Sequence, residues 1–202
     1  MDNGNHQPFD NYLFDLRLNK YPNQTHYYYF NHGFSPEECR RIVNDFKDGC
    51  TDSATVFGGN TTASRKTKVL WLPRNPTTTW IYDRVVNMGA MANEAMFGFD
   101  LTGLRDSIQF ALYDSDNGGK YDTHIDMGSS DLYACRKLSM TVQLSDPSDY
   151  DGGDVVFREE HALPRDQGAV SVFSSFSPHS VAPVTRGERY SLVLWIYGPP
   201  FK

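Results

Sequence analysis

The rhythm of hydrophobic and polar positions changes about half-way along the chain. In the first half, apolar residues recur at helical spacing. Ile42, Val43 and Phe46 follow a start at Ser35-Pro36-Glu37-Glu38, and Ile81, Val85, Met88, Ala92 and Ala95 follow Asn75-Pro76. That spacing lines one face of a helix. The hydroxyl, proline and acids at Ser35–Glu38 suit a first turn, and Gly98 lies past the second helix. Tyr27-Tyr28-Tyr29-Phe30 and Val69-Leu70-Trp71-Leu72 read as strands. Residues 1–25 show no periodicity and read as an arm over the surface. Thr51 to Lys68, with Gly58-Gly59 and many hydroxyls, reads as a mobile loop.

From Leu104 onward the period becomes two. Leu138, Met140, Val142 and Leu144 alternate with Ser139, Thr141 and Gln143, predicting a half-buried strand. Asp151-Gly152-Gly153-Asp154 reads as a turn before the strand Val155-Val156-Phe157. Val170–Phe173, His179–Val184 and Arg189–Tyr197 supply further strands. Two helices followed by about eight short strands predict a mainly β (α+β) chain: a double-sheet barrel with the helices packed on one sheet. One domain over 1–202 is expected, with its core at about 104–198.

Composition narrows the function. A net charge of −6 disfavours a general binder of nucleic acid or anionic membrane. Three cysteines without CxxC spacing (Cys39, Cys50 and Cys135) suit reduced thiols in a reducing compartment. No signal peptide or membrane-length apolar run is visible, so a cytoplasmic location is expected.

Among six histidines only His124, in His124-Ile125-Asp126, is followed two positions later by a carboxylate. In a strand, i and i+2 share a face, so imidazole and carboxylate can converge on one ion. Two His and one carboxylate around open positions is the ligand set of non-heme iron oxygenases. Chance alone yields roughly 0.7 such His-x-acid pairs here, so the pair by itself decides nothing. His179, 53 positions after Asp126, can close the set from another strand. Arg189 follows ten positions later. A turn at Thr185-Arg186-Gly187 would bring it back on the neighbouring strand, near the metal without ligating it, and its guanidinium suits a dicarboxylate. A basic residue at that distance, together with the pair, arises by chance roughly 0.1 times. His6, His26, His32 and His161 lack such partners and read as surface or loop residues.

The run from Tyr113 to Trp195 resembles the catalytic core of the prolyl 4-hydroxylase-type 2-oxoglutarate oxygenases, including the bacterial and viral PKHD-type hydroxylases. The resemblance rests on Tyr113, Gly118-Gly119, His124-Ile125-Asp126, Asp151-Gly152-Gly153-Asp154, Pro178-His179-Ser180-Val181 and Gly187-Glu188-Arg189-Tyr190-Ser191 through Trp195, about eighty residues in one order. Phe34–Cys39 is similar to the family's opening helix. The resemblance implies a double-stranded β-helix (jelly-roll) core and an iron(II)/2-oxoglutarate-dependent dioxygenase in a bacterial or virus-infected cell. His124, Asp126 and His179 would be the metal ligands and Arg189 the anchor of 2-oxoglutarate. Dioxygen would be the oxidant, and ascorbate is a candidate reductant. It also implies a co-substrate contact for Tyr113 and, as substrate, a prolyl residue in a peptide or protein.

Other assignments follow from position. Ser191 shares the Arg189 face and could support the same carboxylate. Gln143 or Thr141 could line the pocket, and Trp195 could be core or wall. Arg65 could grip a peptide, or be a solvated loop charge, and Trp71 could stack on a proline ring. Thr51–Lys68 and Met127–Cys135 are the loops expected to carry specificity. Three alternatives stay open: an oxygenase acting on a free amino acid, other small molecule or nucleobase; a non-catalytic jelly-roll binding module; and a zinc hydrolase, which would leave Arg189 without a task.

Overall fold

A computed structural model of the chain describes residues 27–52, 64–129, 132–158 and 161–201. The expected arm over 1–25, and His6 and His26, lie outside them. In chain order the elements are β1 (Tyr27–Phe30), α1 (Pro36–Phe46), β2 (Thr51–Asp52), β3 (Arg65–Lys66), β4 (Lys68–Leu72), α2 (Thr79–Ala92), β5 (Gly103–Leu104), β6 (Ile108–Asp114) and β7 (Lys120–His124). They continue with β8 (Arg136–Gln143), β9 (Tyr150–Gly152), β10 (Val155–Phe157), β11 (His161–Ala162), β12 (Val170–Ser174), β13 (His179–Val181) and β14 (Val184–Tyr197).

Both helices begin and end where the pattern places them. Ser35 Oγ accepts from Glu38 N while Ser35 N donates to Glu38, closing a capping box. α2 runs on through a π-helical turn, Asn93–Phe97, to a left-handed Gly98.

Two antiparallel sheets oppose each other. The larger runs β1-β12-β8-β14-β6-β4-β2, with β5 and β9 also on β14, and the smaller runs β11-β10-β13-β7-β3. On the larger sheet, Leu138, Met140, Val142, Leu192, Leu194 and Ile196 pack against Cys39 and Ile42 of α1 and Ile81, Val85 and Ala92 of α2. Between the sheets a second cluster gathers Val69, Ala111, Tyr113, Tyr150, Phe157, Phe173 and Val181. This is the expected jelly roll with helices on one sheet.

Three expectations need correction. The strand around Leu138–Leu144 is buried on both faces, not half-buried, because helices cover one face and the smaller sheet faces the other. The turn expected at Asp151–Asp154 carries the chain between sheets, since β9 pairs with β14 while β10 pairs with β11 and β13. Thr185-Arg186-Gly187 is not a turn but lies inside the continuous β14, whose first residues pair with β9 and later ones with β6 and β8. Gly187 makes this possible, since at φ +72° a side chain would meet Asp149 O at 2.1 Å. The stretch 51–68 is ordered into strands at both ends, and residues 53–63 of it lie outside the described ones. Among the described residues no helix is long and apolar enough to cross a membrane.

Candidate active site

A cavity of about 1000 Å³ opens between the sheets. His124 ends β7 and His179 begins β13; the two strands are antiparallel, with His124 and His179 opposite one another. Asp126 follows β7, its backbone N–H and that of Met127 both donating to Ser175 O at 2.9 Å. The ligand atoms of His124, Asp126 and His179 lie within 4.8 Å of one another. His124 Nε2 is 3.6 Å from Asp126 Oδ1, and His179 Nε2 is 3.5 Å from Oδ2.

The surroundings prepare these groups for a cation. His124 Nδ1 lies 2.9 Å from Asp122 O, and His179 Nδ1 lies 3.1 Å from Ser177 O. A neutral imidazole donating there keeps a bare lone pair on Nε2, the nitrogen turned to the carboxylate. Ser139 Oγ donates to Asp126 Oδ2 at 2.6 Å. Burial pushes the Asp126 carboxyl upward, but His179, His124 and Ser139 outweigh it and hold the group well below the usual carboxylate range. Burial depresses the His179 pKa, with His124 acting the same way against the pull of Asp126, so the imidazole is kept neutral. Tyr121 stacks on His124 with centroids 3.5 Å apart.

Arg189 projects into the cavity from the opposite sheet, not from the strand beside His179, because the chain leaves the smaller sheet after β13 and β14 lies in the larger one. It is 3% exposed, its guanidinium sits 5.5 Å from the Tyr113 ring centroid, and among the described residues it pairs with no carboxylate. Gly153 leaves room for its stem: a Cβ there would come within 3.0 Å of Arg189 Cδ. Ser191 lines the same wall, and its buried hydroxyl has no partner. A buried, unneutralised guanidinium beside an orphan hydroxyl is costly unless an acceptor arrives. The donor set therefore fits iron(II), and this wall fits the far carboxylate of a keto acid.

Tyr113, Thr141, Trp195, Arg65 and Trp71 all line the cavity, with Trp71 46% exposed at its edge. Gln143 does not: it shares the face of Thr141 but lies further along β8, where its amide donates to Tyr150 Oη at 2.8 Å. Arg65 is no solvated loop charge; it sits on β3, donates to Gln109 Oε1 at 2.8 Å and lies over Tyr121 at 4.8 Å. His32 and His161 are exposed and away from the cavity.

Two participants escaped the sequence reading. Ser139 is one. The other is Arg136, which donates from Nη1 to Asp126 O at 3.2 Å, from Nη2 to Asp106 at 2.6 Å and from Nε to Tyr197 Oη at 3.0 Å, while stacking 3.8 Å from the Trp195 ring. Tyr197 Oη in turn donates to Asp106.

Residues 108–197 match the profile of the 2OG-Fe(II) oxygenase superfamily. They hold every residue of the metal cluster and Arg189. A PKHD-type hydroxylase of Pseudomonas aeruginosa is 38% identical over 86 residues, 39% of this chain and 38% of its own length, so the match spans about two fifths of that relative. Among solved structures, a prolyl-4-hydroxylase of Pseudomonas putida superposes with a TM-score of 0.67 at 20% identity, covering 90% of this chain and 97% of the other. A prolyl hydroxylase of Trichoplax adhaerens, in complex with a hypoxia inducible factor oxygen degradation domain peptide fragment, gives 0.69 at 17%, covering 96% and 94%. At those identities the likeness is one of fold, and the fold is the jelly roll described above.

Proposed function

We propose that this chain is an iron(II)/2-oxoglutarate-dependent dioxygenase that hydroxylates an aliphatic carbon, with a prolyl residue of a peptide or protein as the first substrate to test. The observation that carries the reading is the pairing, across one cavity, of a two-histidine, one-carboxylate cluster with a buried guanidinium that, among the described residues, has no acidic partner. A zinc hydrolase would have use for the first and none for the second.

In this reading His124, Asp126 and His179 hold the metal on one side and leave the other side free for exogenous ligands. Bound there with 2-oxoglutarate and dioxygen, iron supplies the oxidising power that converts the keto acid to succinate and carbon dioxide and a substrate C–H to C–OH. The chain supplies placement. Arg189 and Ser191 fix the far carboxylate from the β14 wall, with Tyr113 beside them. Asp122 O and Ser177 O orient the imidazoles, Ser139 and Arg136 orient Asp126, and the apolar walls around Val155, Phe173 and Val181 limit water. The prolyl assignment draws on relatives and structural neighbours named as PKHD-type and prolyl hydroxylases.

The test is direct. Iron(II) and 2-oxoglutarate added without oxygen should give the visible charge-transfer band of a chelated keto acid, and admitting oxygen should yield succinate. Absence of both refutes the oxygenase reading. A one-oxygen mass gain in proline-containing peptides, and none in proline-free ones, tests the substrate.

A further inference from the structure

We infer that the substrate carries a carboxylate, and that Arg65 and Gln109 receive it. The inference rests on the oxygenase reading for the charges of metal and co-substrate; the rest is the charge balance of the cavity. The whole chain carries a net charge of −6, yet among the described residues its cavity is lined by Arg65, Arg136 and Arg189 against one acid, Asp126. Arg136 is neutralised by Asp106. Arg189 faces the far carboxylate of 2-oxoglutarate, and the near carboxylate together with Asp126 balances a divalent ion. Among the described residues one positive charge, on Arg65, is left over.

Nothing described in the protein answers it. The side chain is half-buried, its Nε is fully buried without a partner, and its Nη2 donates to a neutral amide. Tyr121 beneath it is uncharged. The nearby cation–acid pairs are closed on themselves: Lys68 with Asp114 and Lys120 with Asp122. A guanidinium left in this state is an anion site, since its donor fork suits a carboxylate and low local dielectric strengthens the pair.

Gln109 completes the cradle. It is 4% exposed, and its oxygen is committed to Arg65, so its amide N–H₂ stands beside the guanidinium as a second kind of donor. A single unbalanced charge matches a carboxylate better than a phosphate ester, which carries about −1.5 to −2 at neutral pH. Trp71 pairs with Gln109 in register on β4 and β6, which sets an indole beside the cradle for the apolar part of the same molecule. The carboxylate could belong to a chain terminus or free imino acid, or to an acidic side chain next to the hydroxylated residue.

The test uses the full chain loaded with manganese(II) and 2-oxoglutarate under argon, so that nothing turns over. Tryptophan fluorescence is followed while N-acetyl-L-proline, its amide, and N-acetyl-prolyl-glutamyl amide with its glutaminyl counterpart are titrated. At least one acid should bind about tenfold or more tighter than its amide, in line with a charge-assisted hydrogen bond. Which acid does so identifies the source of the carboxylate. Arg65→Gln should erase the preference and Arg65→Lys should retain part of it. Equal binding of acids and amides, no binding of either acid, or a preference that survives Arg65→Gln overturns the inference. The anaerobic charge-transfer band of the unaltered protein keeps this apart from the oxygenase reading: with the band present and the preference absent, only the carboxylate inference fails.

Discussion

His124 and His179 face each other across the β7–β13 ladder, their ring centroids 4.3 Å apart. Their meeting is therefore fixed by strand register, and a one-residue slip would turn one imidazole away. Replacing His179 with Ala should lower iron(II) affinity by more than the roughly 10–100-fold that losing an outer-shell partner costs. Titration with iron(II) under argon, with circular dichroism as the check on folding, measures it. Unchanged affinity would remove His179 from the metal.

Arg189 should act on the co-substrate and not on the metal. Arg189→Met leaves the ligands in place but removes the guanidinium that β14 turns into the cavity. The expected result is a KM for 2-oxoglutarate raised about tenfold or more with metal affinity unchanged, in line with the loss of a charge-assisted hydrogen bond. Arg189→Lys should recover only part, because an ammonium cannot reproduce the bidentate fork.

The Asp106–Arg136–Tyr197 group should tune the metal through the backbone of Asp126. Asp106→Asn weakens the hold on Arg136 without emptying buried volume. We expect metal affinity to fall by roughly 10-fold, within the usual range for outer-shell changes, and thermal stability to fall too, since Arg136 is left buried without its anion. Arg136→Met should lose more and also destabilise the fold, since it leaves Asp106 without its cation.

Cys39 gives a pH dependence unconnected with the site. Burial pushes its thiol up from 9.0 to about 12. Below about pH 8 folded and unfolded chains both hold the proton and stability is unaffected. Above 9 the unfolded chain releases it and the folded chain does not, so stability falls as pH rises towards 12, by about 1.4 kcal/mol per unit. Urea midpoints at pH 8 and 10 should fall further apart in the wild type than in Cys39→Ala.

The fold and the convergence of His124 with Asp126 were legible because both rest on local periodicity. Helical spacing around Ile42 and Val85 marked the covering layer. Period two marked the strands, and the single residue between His124 and Asp126 put both groups on one side. What the sequence hid depends on distance. Arg136 reaches Asp106 and Tyr197 across 30 and 61 positions, and no local pattern announces such a contact. Gln143 was misplaced because alternation gives the face of a residue but not which neighbour covers it, here Tyr150. The turn expected at Thr185–Gly187 was misread because a positive-φ glycine serves a bend within a strand as well as a reversal.

β14 has a further consequence. Its residues from Glu188 to Tyr197 lie between β6 and β8 in the broad sheet, whereas the histidines sit on strands of only five and three residues. Short ladders open more readily than long ones. The half of the molecule that carries Arg189 is thus the stiffer anvil, and an ion gripped by both imidazoles acts as a rivet through the thinner plate, quieting β7 and β13 far more than anything across from them.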